Sequence, residues 1–219
     1  MKLSVFAVVL VIASVCALPQ QDVETGDQRF VVTNPIRRAI EKLRRDIREA
    51  GLDPLQFEGF FEYKLLPFFV FEAFIDEFEF NGASNIAMNS LSHNPFLRRV
   101  SFDISLPELR LNVHDSGFDV TLFGINLSSR FNGRILIKQI RLTGHVSYRI
   151  LINASITDIS LNFSLGGIES DVRLIAFGND CTEHLNRFLA VTIQENVIKY
   201  QNEINKYLEE IVMELLKGQ

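Results

Sequence analysis

Four histidines, one cysteine beyond the extreme N-terminus and four tyrosines are the residues through which this chain could do reactive chemistry. His93, His114, His145 and His184 are scattered, without an H-x-x-x-H spacing or a Cys/His cluster of the kind that holds zinc. His145 and Tyr148 fall on opposite phases of one alternating run, so they do not form an acid–base pair. His184 lies one helical turn from Cys181 and its charge is able to lower a thiol pKa, but no third group stands ready to orient it. No G-x-S-x-G elbow, P-loop or dinucleotide fingerprint is present. The expectation is a protein that is not an enzyme and that takes no cofactor and no metal.

What remains is apolar and surface chemistry. Phe57, Phe60, Phe61, Phe68, Phe69, Phe71, Phe74, Phe78 and Phe80 supply nearly half of the chain's 19 phenylalanines, interleaved with Glu58, Glu62, Glu72, Asp76, Glu77 and Glu79. Such a stretch reads either as an aromatic core beneath an acidic face or as the wall of a cavity for a large apolar ligand. Asn126, Asn153 and Asn162 each open an N-x-S sequon, the acceptor for N-glycosylation in an exported protein.

Export is expected from the first 17 residues. Lys2 is followed by an apolar run and by Val15-Cys16-Ala17, a small-residue cleavage pattern, so residues 1–17 read as a signal peptide and 18–219 as a single secreted, extracellular domain. The apolar run is too short to span a bilayer. Cleavage removes Cys16 and leaves Cys181 alone, so stability must come from apolar burial, for which 47% hydrophobic residues are ample. A net charge of −5 argues against a nucleic-acid partner.

The elements that must position these residues are legible in their periodicities. Asn34 suits an N-cap and Pro35 a first helical position, after which Ile36, Ile40, Leu43 and Ile47 mark one face of a helix stopped by Gly51. Arg37, Arg38, Lys42, Arg44, Arg45 and Arg48 lie mostly off that face, as a solvated surface or as one that meets anionic lipid headgroups. From residue 57 to 175 the period becomes two. Phe102, Ile104 and Leu106 alternate, Pro107-Glu108 breaks the phase as a bulge or bend would, and Leu109, Leu111 and Val113 resume it. Asp115-Ser-Gly117 and Thr157-Asp158 read as turns, with Val146 to Ile156 an unbroken run between them. One-sided alternation over such lengths predicts a twisted antiparallel sheet. Finally, Leu185, Leu189, Ile193, Val197, Tyr200, Ile204, Leu208, Ile211 and Leu215 are spaced by three or four, predicting one helix over 180–217 of roughly 55 Å.

Gly51-Leu-Asp-Pro-Leu55, Phe61-Glu-Tyr-Lys64, Phe177-Gly-Asn-Asp180 and Leu185-Asn-Arg-Phe-Leu189, in that order among the elements, resemble the arthropod group 7 mite-allergen family. More distantly, the chain is similar to the takeout and haemolymph juvenile-hormone-binding proteins of the tubular lipid-binding superfamily. The resemblance implies an α+β half-barrel, or super-roll: a strongly curved antiparallel β-sheet wrapped around a long C-terminal α-helix, with a shorter N-terminal helix beside it. It implies a secreted carrier of a lipid-like or terpenoid small molecule held between sheet and helix. The alternative is a membrane- or microbe-surface recognition module making peripheral lipid contact. The N-terminal cysteine pair usual in the takeout relatives is missing. The inward phases nominate Phe102, Ile104, Val120, Leu122, Ile150 and Ile152 from strands, and Ile193, Val197, Tyr200 and Ile204 from the helix, as the apolar wall; Phe69, Phe71 and Phe74 join them on composition.

Overall fold

The computed structural model describes residues 28–66, 69–150 and 154–217. The expected signal peptide, Ile152 and Asn153 lie outside them. Helix α1 (Gln28–Glu49) precedes β1 (Leu55–Leu66), β2 (Phe69–Asn81), β3 (Ala87–Asn94), β4 (Arg99–Leu122), β5 (Ile125–Ile150), β6 (Ala154–Ala176) and the short β7 (Asn179–Asp180). The helical remainder is α2 (Thr182–Arg187), a π-helical turn (Phe188–Thr192), α3 (Ile193–Lys199) and α4 (Gln201–Lys217).

All pairings are antiparallel, in the order β1-β2-β4-β5-β6-β7, with β3 beside β4. Strand β4 is long enough to take two partners on one edge: β3 along residues 99–105 and β2 along 110–122. Pro107 falls in the gap between them, where a central strand tolerates the loss of an N–H. A line of irregular backbone crosses the sheet at that level. Gly82 (φ 100°) joins β2 to β3, Gln139 (φ 51°) interrupts β5, and pairing steps over Pro107, Gln139 and Gly166. A Cβ on Gly82 would come within 2.2 Å of the Glu108 carbonyl oxygen, so only glycine fits there. Across this line the buried positions of β4 move from Val100, Phe102 and Ile104 to Leu109. The phase break at Pro107 is thus a bend shared by neighbouring strands, which divides the sheet into two halves.

Two expected turns are bulges within longer strands. The register slips between Val113 and Ser116, absorbing the Asp115 region, and between Ser147 and Tyr148, absorbing Thr157. The unbroken run expected from Val146 to Ile156 instead reverses direction, with Ile150 paired to Ala154. Alternation continues in phase through that reversal, so periodicity could not reveal it.

Helix α1 buries Ile36, Ile40, Leu43 and Ile47, the face its spacing predicts. It begins at Gln28, however, so Pro35 is interior rather than first, at the expense of one backbone hydrogen bond. Those four residues, with Ala83, Ile86, Val100, Phe102, Ile104, Val146, Ile159, Leu161 and Val212, form the hydrophobic core. This cluster lies in the half of the sheet on the β3 side of the bend, while Leu109 and Val172 are buried outside it on the other side.

The C-terminal helical stretch is not uniform. The π turn adds a residue to the ladder, and Tyr200 departs from helical geometry (φ −105°, ψ 23°). The ladder still passes through: Tyr200 N–H donates to Asn196 O and Ile204 N–H to Tyr200 O, both at 2.9 Å. After this bend the buried face has shifted, and Val212, not Ile211, enters the core.

Candidate apolar site and the edge that frames it

Among the described residues, no helix packs across the core face of the sheet on the far side of the bend. Alternation along β5 puts Ile125, Leu127, Ser129 and Phe131 on the same face as Ile137, opposite Leu109. Register then adds Phe118, Val120 and Leu122 from β4, Phe69, Phe71 and Ala73 from β2, and Phe61 and Tyr63 from β1. Four rings run across these strands. Phe61 meets Phe71 edge-on at 6.2 Å, Phe71 stacks on Phe118 at 6.2 Å, and Phe118 meets Phe177 edge-on at 6.0 Å. Yet Phe61 is 57% exposed, Phe177 54% and Leu122 38%, against 4% for Phe102 on the filled side. This is a continuous aromatic floor left open to solvent.

The predicted wall residues consequently separate. Phe69 opposite Leu122 and Phe71 opposite Val120 lie together on the open floor. Phe102 and Ile104 belong to the solid core beneath α1. Phe74 is not brought to the floor: it pairs with Gly117 on the opposite face, where the Arg130 guanidinium lies 5.0 Å above its ring and pairs with Asp119 at 2.7 Å. Ile150 ends β5, close to the β5–β6 reversal. Ile193, Val197 and Ile204 are half-buried on the helical stretch, whereas Tyr200 is exposed at the bend, under the Lys199 ammonium at 4.9 Å.

What frames the site on the other side is a polar stripe that the apolar periodicity does not reveal. Helices α2–α4 lie along β6, and their side chains bond to its outer edge. Asn186 both accepts from the Val172 N–H (3.0 Å) and donates to its carbonyl (2.8 Å). Thr182 Oγ1 accepts from Leu174 N–H at 3.0 Å, Asn205 Oδ1 from Phe163 N–H at 2.8 Å and Glu209 Oε1 from Leu161 N–H at 2.8 Å. Gln201 donates to the Phe163 carbonyl at 3.0 Å. The helix thus imitates another strand, supplying partners to edge backbone groups of Leu161, Phe163, Val172 and Leu174. The available signal was the recurrence of Thr, Asn and Gln beside the apolar stripe.

The sequon residues differ in setting. Asn126 is exposed at the start of β5, while Asn162, also exposed, accepts from Gln201 (3.0 Å) and Asn205 (3.3 Å) of α4. Of the basic residues on α1, Arg44 and Arg48 reach Ser84, through its carbonyl and hydroxyl. Arg37, Arg38 and Arg45 are exposed. One polar pair was not anticipated: His93 Nε2 lies 2.6 Å from Tyr148 Oη, and burial pushes the tyrosine pKa up despite the nearby Arg98. Among the described residues, no three His, Cys, Asp or Glu side chains converge as metal ligands would.

Among solved structures, Takeout 1 of Epiphyas postvittana aligns with a TM-score of 0.36 and 13% identity, over 88% of each chain. A lipopolysaccharide binding protein aligns with a TM-score of 0.31 and 18% identity, over 83% of this chain and 37% of that one. No curated protein matches the sequence. The family model for haemolymph juvenile hormone binding proteins matches residues 6–218. That match is to the juvenile-hormone-binding relatives and does not bear on the mite-allergen branch. Lack of the cysteine pair does not set the chain apart from this family. On a match spanning nearly the entire sequence, the chain belongs to the haemolymph juvenile hormone binding protein (JHBP) family.

Proposed function

We propose that this protein is a secreted carrier of a lipid, terpenoid or other elongated apolar molecule. The observation that carries the reading is the floor of linked rings, Phe61, Phe71, Phe118 and Phe177, exposed beside a core that is complete elsewhere. A contiguous apolar surface of this kind marks a binding site more often than a passive exterior. A ligand covering about 300 Å² of it would gain roughly 7 kcal/mol before the costs of association. The family's name points to an apolar hormone as one such ligand, and the expected leader at residues 1–17 supports export.

Native mass spectrometry of protein secreted from eukaryotic cells tests this. A bound mass that disappears in Phe71→Ser/Phe118→Ser, with the fold retained by circular dichroism, is the expected result. An empty protein that also refuses apolar fluorescent probes would refute the carrier reading.

A second reading, contact with a lipid surface, is favoured by the β3–β4 hairpin. Its turn is fixed by Asn94 Oδ1 accepting the Leu97 N–H at 3.0 Å, and it presents Phe96 at 96% exposure beside Leu97, Arg98 and Arg99. An aromatic tip with a basic collar suits the headgroup region of an anionic membrane. Such contact would serve loading or delivery and does not replace the carrier role.

A further inference from the structure

The two borders of the sheet are treated differently. The β6 border is closed by the polar stripe of α2–α4, whereas among the described residues no strand pairs with the outer edge of β1. A free edge is usually blunted by proline, inward charge or a covering segment. β1 carries the charged Glu58, Glu62 and Lys64 but also exposes Phe57, Phe60, Phe61 and Tyr63, distributed over both of its faces.

We propose that β1 is a self-association strand, which pairs antiparallel with β1 of a second copy of this chain about a two-fold axis at Phe61. Three features select that register. Directly opposed residues in an antiparallel pair share a face, so a register that keeps both aromatic floors on one side must oppose even with even and odd with odd positions. Centring on Phe61 satisfies this from Glu58 to Lys64, the stretch between the two register shifts of β1. It also opposes Glu58 to Lys64 of the second copy, twice by symmetry, and Phe61 to its own counterpart. Moving the centre to Phe60 would set Glu58 against Glu62, and moving it to Glu62 would set two glutamates face to face. Lys64 pairs with Glu62 within the strand, a contact with which Glu58 of the second copy would compete. The product is one sheet running through both copies, with the two floors joined across the axis.

Sedimentation velocity of the secreted chain at tens of micromolar tests the proposal, with circular dichroism as a check on folding. Wild-type protein is expected to dimerise reversibly, and Glu58→Lys and Lys64→Glu are each expected to weaken self-association at least tenfold. Glu58→Lys/Lys64→Glu should restore it. The two single variants, mixed, should form a heterodimer, because one then carries two lysines and the other two glutamates at the opposed positions. Monomeric wild-type protein would overturn the proposal. So would folded single variants that dimerise as wild type does. The outcome is independent of bound ligand, so failure here would leave the carrier reading standing.

Discussion

Asp53 shows how much a single side chain can hold together. Its carboxylate accepts the Gly82 N–H at 2.8 Å and the Ser84 N–H at 2.6 Å, while Arg48 Nε donates to Ser84 Oγ at 2.9 Å. The end of α1 is thereby tied to the β2–β3 link at the bend. Burial alone would raise the Asp53 pKa, but the hydrogen bonds from Ser84 and Gly82 and the Arg48 charge outweigh it and hold the value below the ordinary 3.8. A depressed folded-state pKa means that the stabilisation is complete at neutral pH and is lost as pH falls below 3.8 through the folded value. Asp53→Ala should cost about 1–3 kcal/mol, the range for stranding hydrogen-bonded groups. Urea titrations at neutral and acidic pH should show the wild-type advantage shrinking in acid; an advantage that does not shrink would remove Asp53 from this role. The sequence offers Asp53 only as part of Gly51-Leu-Asp-Pro-Leu55. Its partners lie about 30 positions onward, and nothing local announces them.

At the scale of elements, helical and strand periods were read well because each reflects one-sided burial, the faces of α1 and of β4 alike. Chain reversals were read poorly. The bulges at Asp115 and Thr157 carry turn-forming residues, and the true reversal between Ile150 and Ala154 sits within an apolar run. Polar side chains on the C-terminal helix are the larger lesson, since in a sequence an edge-capping asparagine looks like a solvated one. Asn186→Ala and Asn205→Ala should each destabilise the protein by about 1–2 kcal/mol, because strand N–H groups lose their acceptors. Amide hydrogen exchange should accelerate locally at Val172 and Phe163. Unchanged exchange at those amides would show that water serves the edge as well as the helix does.

At the scale of the whole molecule, the bend divides the sheet into a half packed by α1 and the end of α4 and a half whose floor is not covered by any described helix. On the proposed reading, stability and ligand binding fall in different places, and membrane contact at the hairpin tip in a third. Phe96→Asp/Leu97→Asp should reduce co-sedimentation with phosphatidylserine-containing vesicles severalfold while leaving bound apolar ligand in place. Wild-type binding should weaken with salt as the basic collar is screened. Vesicle binding indifferent to both changes would exclude the tip. The sequence by itself determined the helix–sheet–helix order, the buried face of α1 and the phase break at Pro107, because each follows from burial repeating over neighbouring residues. Only the tertiary structure decided that Phe102 belongs to a solid core while Val120, on the same strand and of the same inward phase, lies on an open floor. It also placed Phe74 on the other face and set the C-terminal helix along β6. Those outcomes depend on what packs against a face and how far a cover extends, and neither is written in the spacing of the residues that form it.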